Sequence, residues 1–589
     1  MNHLERKNAV TAKVVNIYWE RVNLYIDVKT EFAGEIIDNL DFFAVNRNYE
    51  PKAKFTVINK ENNVYRLYLN ITNPGYNLCM QRGAYNIYVC SGDDILAVCM
   101  TDESIVEKMS DYSKSFLFKN RARVYNVVFS VDDNSDEDLP LLMYTMASTA
   151  VGIGPVPDYL INNNHGYVSP LQNANNSKFA KFKKKNTPKF LKSVYHFYYS
   201  LYKNKRKSTI LFMSEQNDKI GTNEEAVYNK MIERHLDEKF TIEQSFRNAV
   251  AGHNSVMSWL GLVKKLAKSS TVILDDHAPI LDWLMLSDTK VIQLWHAGAG
   301  FKSSGYSRWG NTGCPAPFSC HRQYTYGIAG SKQIAHFFSE VWGINTEQVL
   351  PTGMPRMDEY LDEKYKAETV KKIYKEYPIC KGKKVILFAP TYRGKNKALA
   401  YYPYNLIDFQ KLYDTCGDEY VVLFKMHPWV AEPVPIDGKF SDKFIDVGKY
   451  PNINDLFYIT DLLITDYSSN IFEYSLNKKP MLFFAFDEIQ YSFSRGFHRN
   501  YAESAPGKIV HDFDALIEAI KNEDFETEKV YKYVDEHFDY IDSGASDRVI
   551  DWLILDNMPE EFRNAIDRKN EDVMKTLSLD FRPDEFKEG

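Results

Sequence analysis

At 589 residues the chain is too long for a single core, and about three or four domains are expected. Hydrophobic residues at 44% and charged residues at 26% mark a globular chain, and a net charge of -7 argues against nucleic acid as the main partner. Seven cysteines with no Cys-x-x-Cys pair point to free core thiols and a reducing compartment; Cys314 and Cys320-His321 raise a metal cluster, but their spacing matches no zinc pattern.

The first ten residues are polar and lack the apolar core of a signal peptide, and no run of about 18 apolar residues occurs. A cytoplasmic protein with at most a peripheral hold on the membrane is therefore expected. Residues 14 to 130 follow period two, with hairpin signals at Lys-Glu-Asn-Asn before Val64 and Ser-Gly-Asp-Asp before Ile95. This predicts an antiparallel β-sandwich over 1–131, an accessory or packing module without a catalytic constellation. Residues 132–176 read as irregular connection. Residues 177–207 hold eleven Lys and Arg, no acidic residue and interleaved aromatics. That composition reads as a surface for anionic lipid or a polyanionic polymer; a solvated helix covering the next domain is the plainer alternative.

From 208 the pattern alternates strand and helix, which predicts a parallel sheet over 208–345. Its strands are read at 209–213, 271–276, 290–295 and 324–329. A second α/β set follows Gly353-Met-Pro-Arg356 and runs to 557, with strands read within 384–393, 420–428 and 461–470 and at 480–484. The charged stretch 558–589 is expected to be an exposed extension.

The strand at 290–295 delivers His296 to a turn of Ala-Gly-Ala-Gly. Gly298 and Gly300 would let backbone amides approach a ligand, and Lys302 adds a positive charge. That arrangement suits deprotonation of a hydroxyl beside a phosphate, although a histidine satisfying a carbonyl would look the same. In the second half three strand ends carry Thr391 and Arg393, Lys425 and His427, and Asp466, Ser468 and Ser469. Ligands of open α/β sheets bind at such ends, so these residues should share one crevice. Ser468-Ser469-Asn470 opens a helix and offers amides and hydroxyls to a phosphate, or simply caps it. Glu473, one turn later, can accept both hydroxyls of a ribose. His427 can donate to a phosphate oxygen or protonate a leaving phosphate, and Arg495 and Arg499 can close over the crevice from a loop. With no Asp-x-Asp at these strand ends, Arg, His and Lys would neutralise the charge; no metal and no cofactor are expected.

The motifs His296 to Gly305, Gly353 to Arg356, Phe388 to Arg393, Lys425 to Pro428, Thr465 to Ser469 and Arg495-Gly-Phe resemble, in order and spacing, the CDP-glycerol glycerophosphotransferase family. These are the teichoic acid polymerases and primases of Gram-positive bacteria, and the resemblance covers about 208–552. It implies a GT-B fold, two Rossmann-like lobes with the active site in the cleft, here following the all-β domain. It also implies attack by a polymer hydroxyl on the alditol-bearing phosphorus of a CDP-alditol, with release of CMP. By position His296 matches the general base and His427 the histidine at the donor phosphate. Ser468, Ser469 and Glu473 match the donor-binding turn. Lys302, Gly298, Gly300, Arg308 and Arg356 are taken as acceptor or phosphate contacts. His-Ala-Gly-Ala-Gly-Phe-Lys is one residue longer than the motif usual in glycerol-type members. With Asn16-Ile-Tyr-Trp-Glu-Arg21 and Ser307-Arg308, it resembles the ribitol-phosphate polymerase branch. His498 stands where many members have Tyr. The expected activity is transfer of ribitol phosphate from CDP-ribitol to a lipid-linked teichoic acid acceptor at the cytoplasmic face of an anionic membrane. The alternatives are CDP-glycerol as donor, a sugar-nucleotide glycosyltransferase on the same scaffold, or a non-catalytic protein of wall synthesis.

Overall fold

The computed structural model describes residues 10–33, 37, 39–118, 123–131, 139–149, 178–247, 255–298, 301–311, 313–394 and 397–581. Gly300 and, of the connection expected at 132–176, residues 132–138 and 150–176 lie outside them.

The amino-terminal strands alternate buried and exposed positions, as in Val10–Glu20, where Ala12, Val14 and Ile17 face the core. That strand pairs antiparallel with Asn23–Phe32, and the strands of this region surround one core that includes Leu24, Phe42, Leu67, Ile87 and Val127. The expected pair of sheets is instead a single continuous sheet of eleven strands. A parallel pairing of Ala12 with Cys99 and Lys13 with Met100 joins its two halves. Period two tells which face of a strand is buried but not which strand lies beside it. The module also runs past 131: Leu141–Thr149 pairs with Arg123–Val131 on one side and Gly83–Ser91 on the other.

The carboxy-terminal segment corrects a second expectation. Residues Glu560–Ser578 form a helix that folds back onto the β-module instead of extending into solvent. Lys52 Nζ donates to Leu577 O at 2.9 Å, Lys54 pairs with Asp572 at 3.2 Å, and Phe581 packs on Phe43 and Tyr88. A cavity of about 640 Å³ remains between this helix and the module, walled by Phe55, Tyr65, Tyr76 and Lys569, and none of the expected site residues lines it.

The basic segment contributes the helix Lys178–Tyr202. Leu191 and Tyr195 bury against Leu262 and Leu266 of the helix Val256–Lys268, so one face does cover the neighbouring domain. Arg206 is buried and donates to Ser287 O at 2.8 Å, so it is a strut and not a surface charge. The opposite face shows Phe190, Phe197 and Leu201 at 55%, 61% and 59% exposure. No helix among the described residues is long and apolar enough to cross a membrane.

Both expected parallel sheets are present, each with six strands. In the first the order is Thr241–Phe246, Thr209–Ser214, Thr271–Leu274, Lys290–Gln293, Tyr326–Ile328, Val349–Leu350. In the second it is Phe444–Asp446, Tyr420–Phe424, Lys384–Phe388, Leu462–Thr465, Met481–Phe484, Lys508–Val510. The strand order reverses direction beside Leu274 in the first sheet and between Phe388 and Thr465 in the second. Open sheets part their loops at such points and leave a crevice there. The chain crosses back after the second sheet: Arg234 pairs with Asp547 and Asp551, and Lys290 with Asp556. Residues 540–557, expected with the second sheet, are thus shared with the first.

Candidate functional site

The strand Lys290–Gln293 is followed by Leu294 and Trp295, and Trp295 adopts φ 54°. A left-handed backbone on a bulky residue is strained, and such strain gathers at functional sites. The turn aims His296 away from the sheet, leaving its side chain 53% exposed. His296 Nδ1 lies 3.2 Å from Asp275 O and 3.6 Å from Asp276 Oδ2. A carbonyl only accepts, so Nδ1 carries a proton, and the neutral ring in that tautomer has its lone pair on Nε2. The imidazole therefore does satisfy a carbonyl, and that same bond leaves its outer nitrogen ready to act as a base. Asp276 was not singled out from sequence; the Asp275-Asp276 pair at the end of a predicted strand was the available signal.

Two contacts join His296 to the second sheet. Arg356 donates to His296 O at 2.8 Å and through Nε to Glu473 Oε1 at 2.9 Å. A Cβ at Gly298 would lie 2.4 Å from the Phe472 ring. Gly298 is bare because Phe472 packs on it, a structural reason for the glycine apart from any ligand. Arg356 likewise is engaged by Glu473, and both of its bonds to that carboxylate fall on Oε1.

Next along the chain, Lys302 pairs by a backbone bridge with Phe497. It is solvent-accessible but crowded by the cleft walls. Burial pushes its ammonium down to about 8, against the pull of Asp466 and with help from Arg495 and Arg393. Arg308 lies nearby; burial and then Arg495 push its guanidinium down, and its buried Nε has no hydrogen-bond partner. Arg495 donates to Tyr392 Oη at 3.2 Å. His427 stands at the end of Tyr420–Phe424, and its Nδ1 accepts the Trp429 amide at 3.1 Å. A neutral ring in that state carries its proton on Nε2 and donates there. Burial, then Lys302 and Lys425, push its pKa down to about 4. The Tyr392 ring lies 4.7 Å from that of His427 and 4.9 Å from that of Trp429. Tyr392 and Trp429 were also missed from sequence, though each sits inside or beside a named motif. Lys302, Arg308, Arg495 and His427 thus form a group with more positive charge than its nearest acids balance, which is the electrostatic mark of an anion site.

Other expected donor contacts are brought together but serve one another. Asp466 is fully buried and accepts from Thr391 N at 2.8 Å, Thr391 Oγ1 at 3.1 Å and Arg393 at 2.9 Å. Arg393 also grips Asp487 with Nε at 2.6 Å and a terminal nitrogen at 2.8 Å. These three residues are therefore a scaffold under the crevice. Lys425 Nζ is taken by Gly448 O at 2.7 Å. Arg499 lies against His537 Nε2 at 3.1 Å instead of over the crevice. Ser468 Oγ accepts the Asn470 amide at 3.3 Å, and the helix after it, Ile471–Ser475, has only five residues. So short a helix has little macrodipole, and the phosphate site expected there rests on the Ser468 and Ser469 hydroxyls. Part of the contact between the sheets is apolar, where Phe301 meets Phe483 and Tyr501; the charged group lies beside it.

All seven cysteines are free. Among the described residues one group, His277, Asp282 and Cys320, has ligand atoms within 4.8 Å of one another. There His277 Nε2 already lies 3.1 Å from both Asp282 oxygens.

Comparison with known proteins agrees with the motif order. Teichoic acid ribitol-phosphate polymerase TarL of Staphylococcus aureus (strain NCTC 8325 / PS 47) is 41% identical over 349 residues, 59% of this chain and 62% of its own length. Teichoic acid poly(ribitol-phosphate) polymerase of Bacillus spizizenii (strain ATCC 23059 / NRRL B-14472 / W23) is 38% identical over 367 residues, 62% of this chain and 59% of its own. The chain thus spans about three fifths of these relatives. Among solved structures, the wall teichoic acid polymerase TagF shares 22% identity at a TM-score of 0.47, covering 68% of this chain and 98% of that one. The family described as CDP-Glycerol:Poly(glycerophosphate) glycerophosphotransferase matches residues 195–555, and this chain, with its motifs in order around one cationic crevice, belongs to it.

Proposed function

We propose that the protein transfers ribitol phosphate from CDP-ribitol to a hydroxyl of a lipid-linked poly(alditol phosphate), releasing CMP. The observation that carries this reading is His296, whose Nδ1 is held by Asp275 O so that Nε2 points outward, at a strand end that Arg356 ties to Glu473 beside the second sheet. The acceptor hydroxyl gives its proton to that nitrogen as its oxygen bonds to the alditol-bearing phosphorus. The phosphorus–oxygen bond to CMP breaks, and the leaving phosphate takes the electron pair. His427 Nε2–H, Lys302, Arg308 and Arg495 stabilise the charge that gathers there. The two sheets and their crevice act as the lobes of a GT-B transferase, with the second binding the nucleotide. Ribitol is favoured over glycerol by the identity to ribitol-phosphate polymerases; CDP-glycerol is the second reading, since a teichoic acid glycerol-phosphate primase of Bacillus subtilis (strain 168) is 31% identical over 374 residues.

Calorimetry and CMP release test this together. CDP-ribitol should bind and turn over with a lipid-linked acceptor, CDP-glycerol more weakly, and a UDP-sugar not at all. Phosphate favours protonated Lys302, so donor affinity should fall as pH rises through about 8. Lys302→Arg should remove that dependence. Turnover of the UDP-sugar, or equal pH profiles in both proteins, would contradict the assignment.

The same reading places the protein peripherally on the cytoplasmic membrane face. Phe190, Phe197 and Leu201 share one helical face, and Lys189 and Lys192 are exposed on the same helix. Replacing both lysines by Gln should weaken sedimentation with anionic vesicles by about 2 kcal/mol, at roughly 1 kcal/mol per basic residue. Unchanged sedimentation would remove this helix from any membrane role.

A further inference from the structure

The β-module touches the crevice through a chain of buried polar contacts. The hairpin joining Val10–Glu20 to Asn23–Phe32 turns at Arg21, which holds φ 54°. Lys114 Nζ fixes this tip by donating to Arg21 O at 2.8 Å. Arg21 grips both oxygens of Glu340, with Nε at 2.8 Å and a terminal nitrogen at 3.0 Å. Asn23 donates to the same carboxylate at 2.8 Å, its amide oriented by Tyr68 Oη at 3.2 Å. Glu340 belongs to the helix Lys332–Trp342 of the first parallel domain and is 6% exposed. Burial works to raise its pKa, but His498 and Arg21 hold it well below the usual range.

On the far side of Glu340 stands His498, 1% exposed, with Nε2 at 3.2 Å from Oε1. This is an ion-pair distance, at an angle short of a hydrogen bond. The His498 amide donates to Phe301 O at 2.7 Å, and the Ser303 amide donates to Gly496 O at 3.1 Å. These two bonds enclose Lys302, which lies opposite Phe497. Gly496 takes φ 73°, which lets the loop turn back beneath Lys302. A second grip acts on Arg308: its neighbours Tyr306 and Trp309 are buried in the core of the β-module, with Trp309 stacked on Phe116 at 5.1 Å.

We propose that the β-module is a brace for the anion site, and that Arg21, Asn23, Glu340 and His498 are positioning residues that set Lys302 and the loop carrying Arg495. None of the four is assigned contact with the nucleotide. Bidentate Arg–carboxylate pairs fix direction as well as distance, so the hairpin tip sets where the loop lies. The role of this module then follows: it leaves the donor pocket to the other domains and holds two of its cations in place.

The test uses the full chain with Arg21→Met, and Glu340→Gln as a second variant should the first fold poorly. Without nucleotide, deuterium exchange in peptides covering 301–304 and 496–499 should quicken about tenfold while the thermal midpoint stays within a few degrees. With CDP-ribitol, KM for the donor should rise about tenfold and kcat should stay within about twofold, an error in position and not in chemistry. Arg21→Lys should recover part of both effects. Unchanged exchange in a folded Arg21→Met or Glu340→Gln variant overturns the proposal, as does a loss confined to kcat. The donor arm rests on the transferase reading, whereas the exchange arm does not. Absence of turnover in the unaltered protein would count against that reading alone.

Discussion

His296→Ala is expected to abolish measurable CMP release, lowering kcat by about 10²- to 10⁴-fold while CDP-ribitol affinity stays nearly unchanged. The reason lies in where the side chain spends its bonds. Its inner nitrogen is bound to Asp275 O, which leaves Nε2 as the outer nitrogen of a half-exposed ring. Removing the ring takes away the proton acceptor without disturbing any cation of the donor group. Arg356 holds the backbone oxygen of residue 296, so the strand end should keep its place in the variant. Single-turnover release of CMP with an acceptor, set beside calorimetric binding of the donor, separates the two effects. Near-normal turnover would remove His296 from the chemistry, and a parallel loss of binding would make it a donor ligand.

Arg393→Met should act in the opposite sense, through stability. Arg393 is paired with Asp466 and Asp487, whose side chains are 1% and 14% exposed. Taking away the cation leaves two carboxylates in a poor dielectric with one partner fewer each. Breaking a buried pair in this way costs about 3–5 kcal/mol. Urea unfolding should show the transition of the second parallel domain moved to lower denaturant by that amount. Adding Asp487→Asn should return part of it, since the second replacement removes an orphaned charge. A variant that unfolds normally but fails to bind CDP-ribitol would show that Arg393 contacts the ligand, as the sequence reading expected. The contrast with Lys302 is instructive. Both are cations of one motif set, yet Arg393 is neutralised inside the protein and Lys302 is not.

Short β-branched runs ending in His, Thr, Asp or Ser were legible as parallel strands, because burial on both faces needs continuous apolar sequence and a loop needs polar ends. The reversal of strand order beside Phe388 and Thr465 then made a common crevice of ends that the sequence could only rank in order.

What the chain alone determined was the set of strands, the identity of the strand-end residues and the excess of charge among them. Only the folded chain decided which of those charges remain available. Thr391, Arg393 and Asp466 read from sequence like ligands, but hydrogen bonds from three strand ends consume them, and nothing local records such bonds. Tertiary contact likewise turned Gly298 into a seat for Phe472, the charged tail into a helix docked on the β-module, and Arg21 of a distant hairpin into a partner of Glu340. Strand pattern is written in nearest neighbours along the chain. The pairing of charges is settled by groups tens to hundreds of residues apart, and a buried ion must find its partner wherever the fold supplies one.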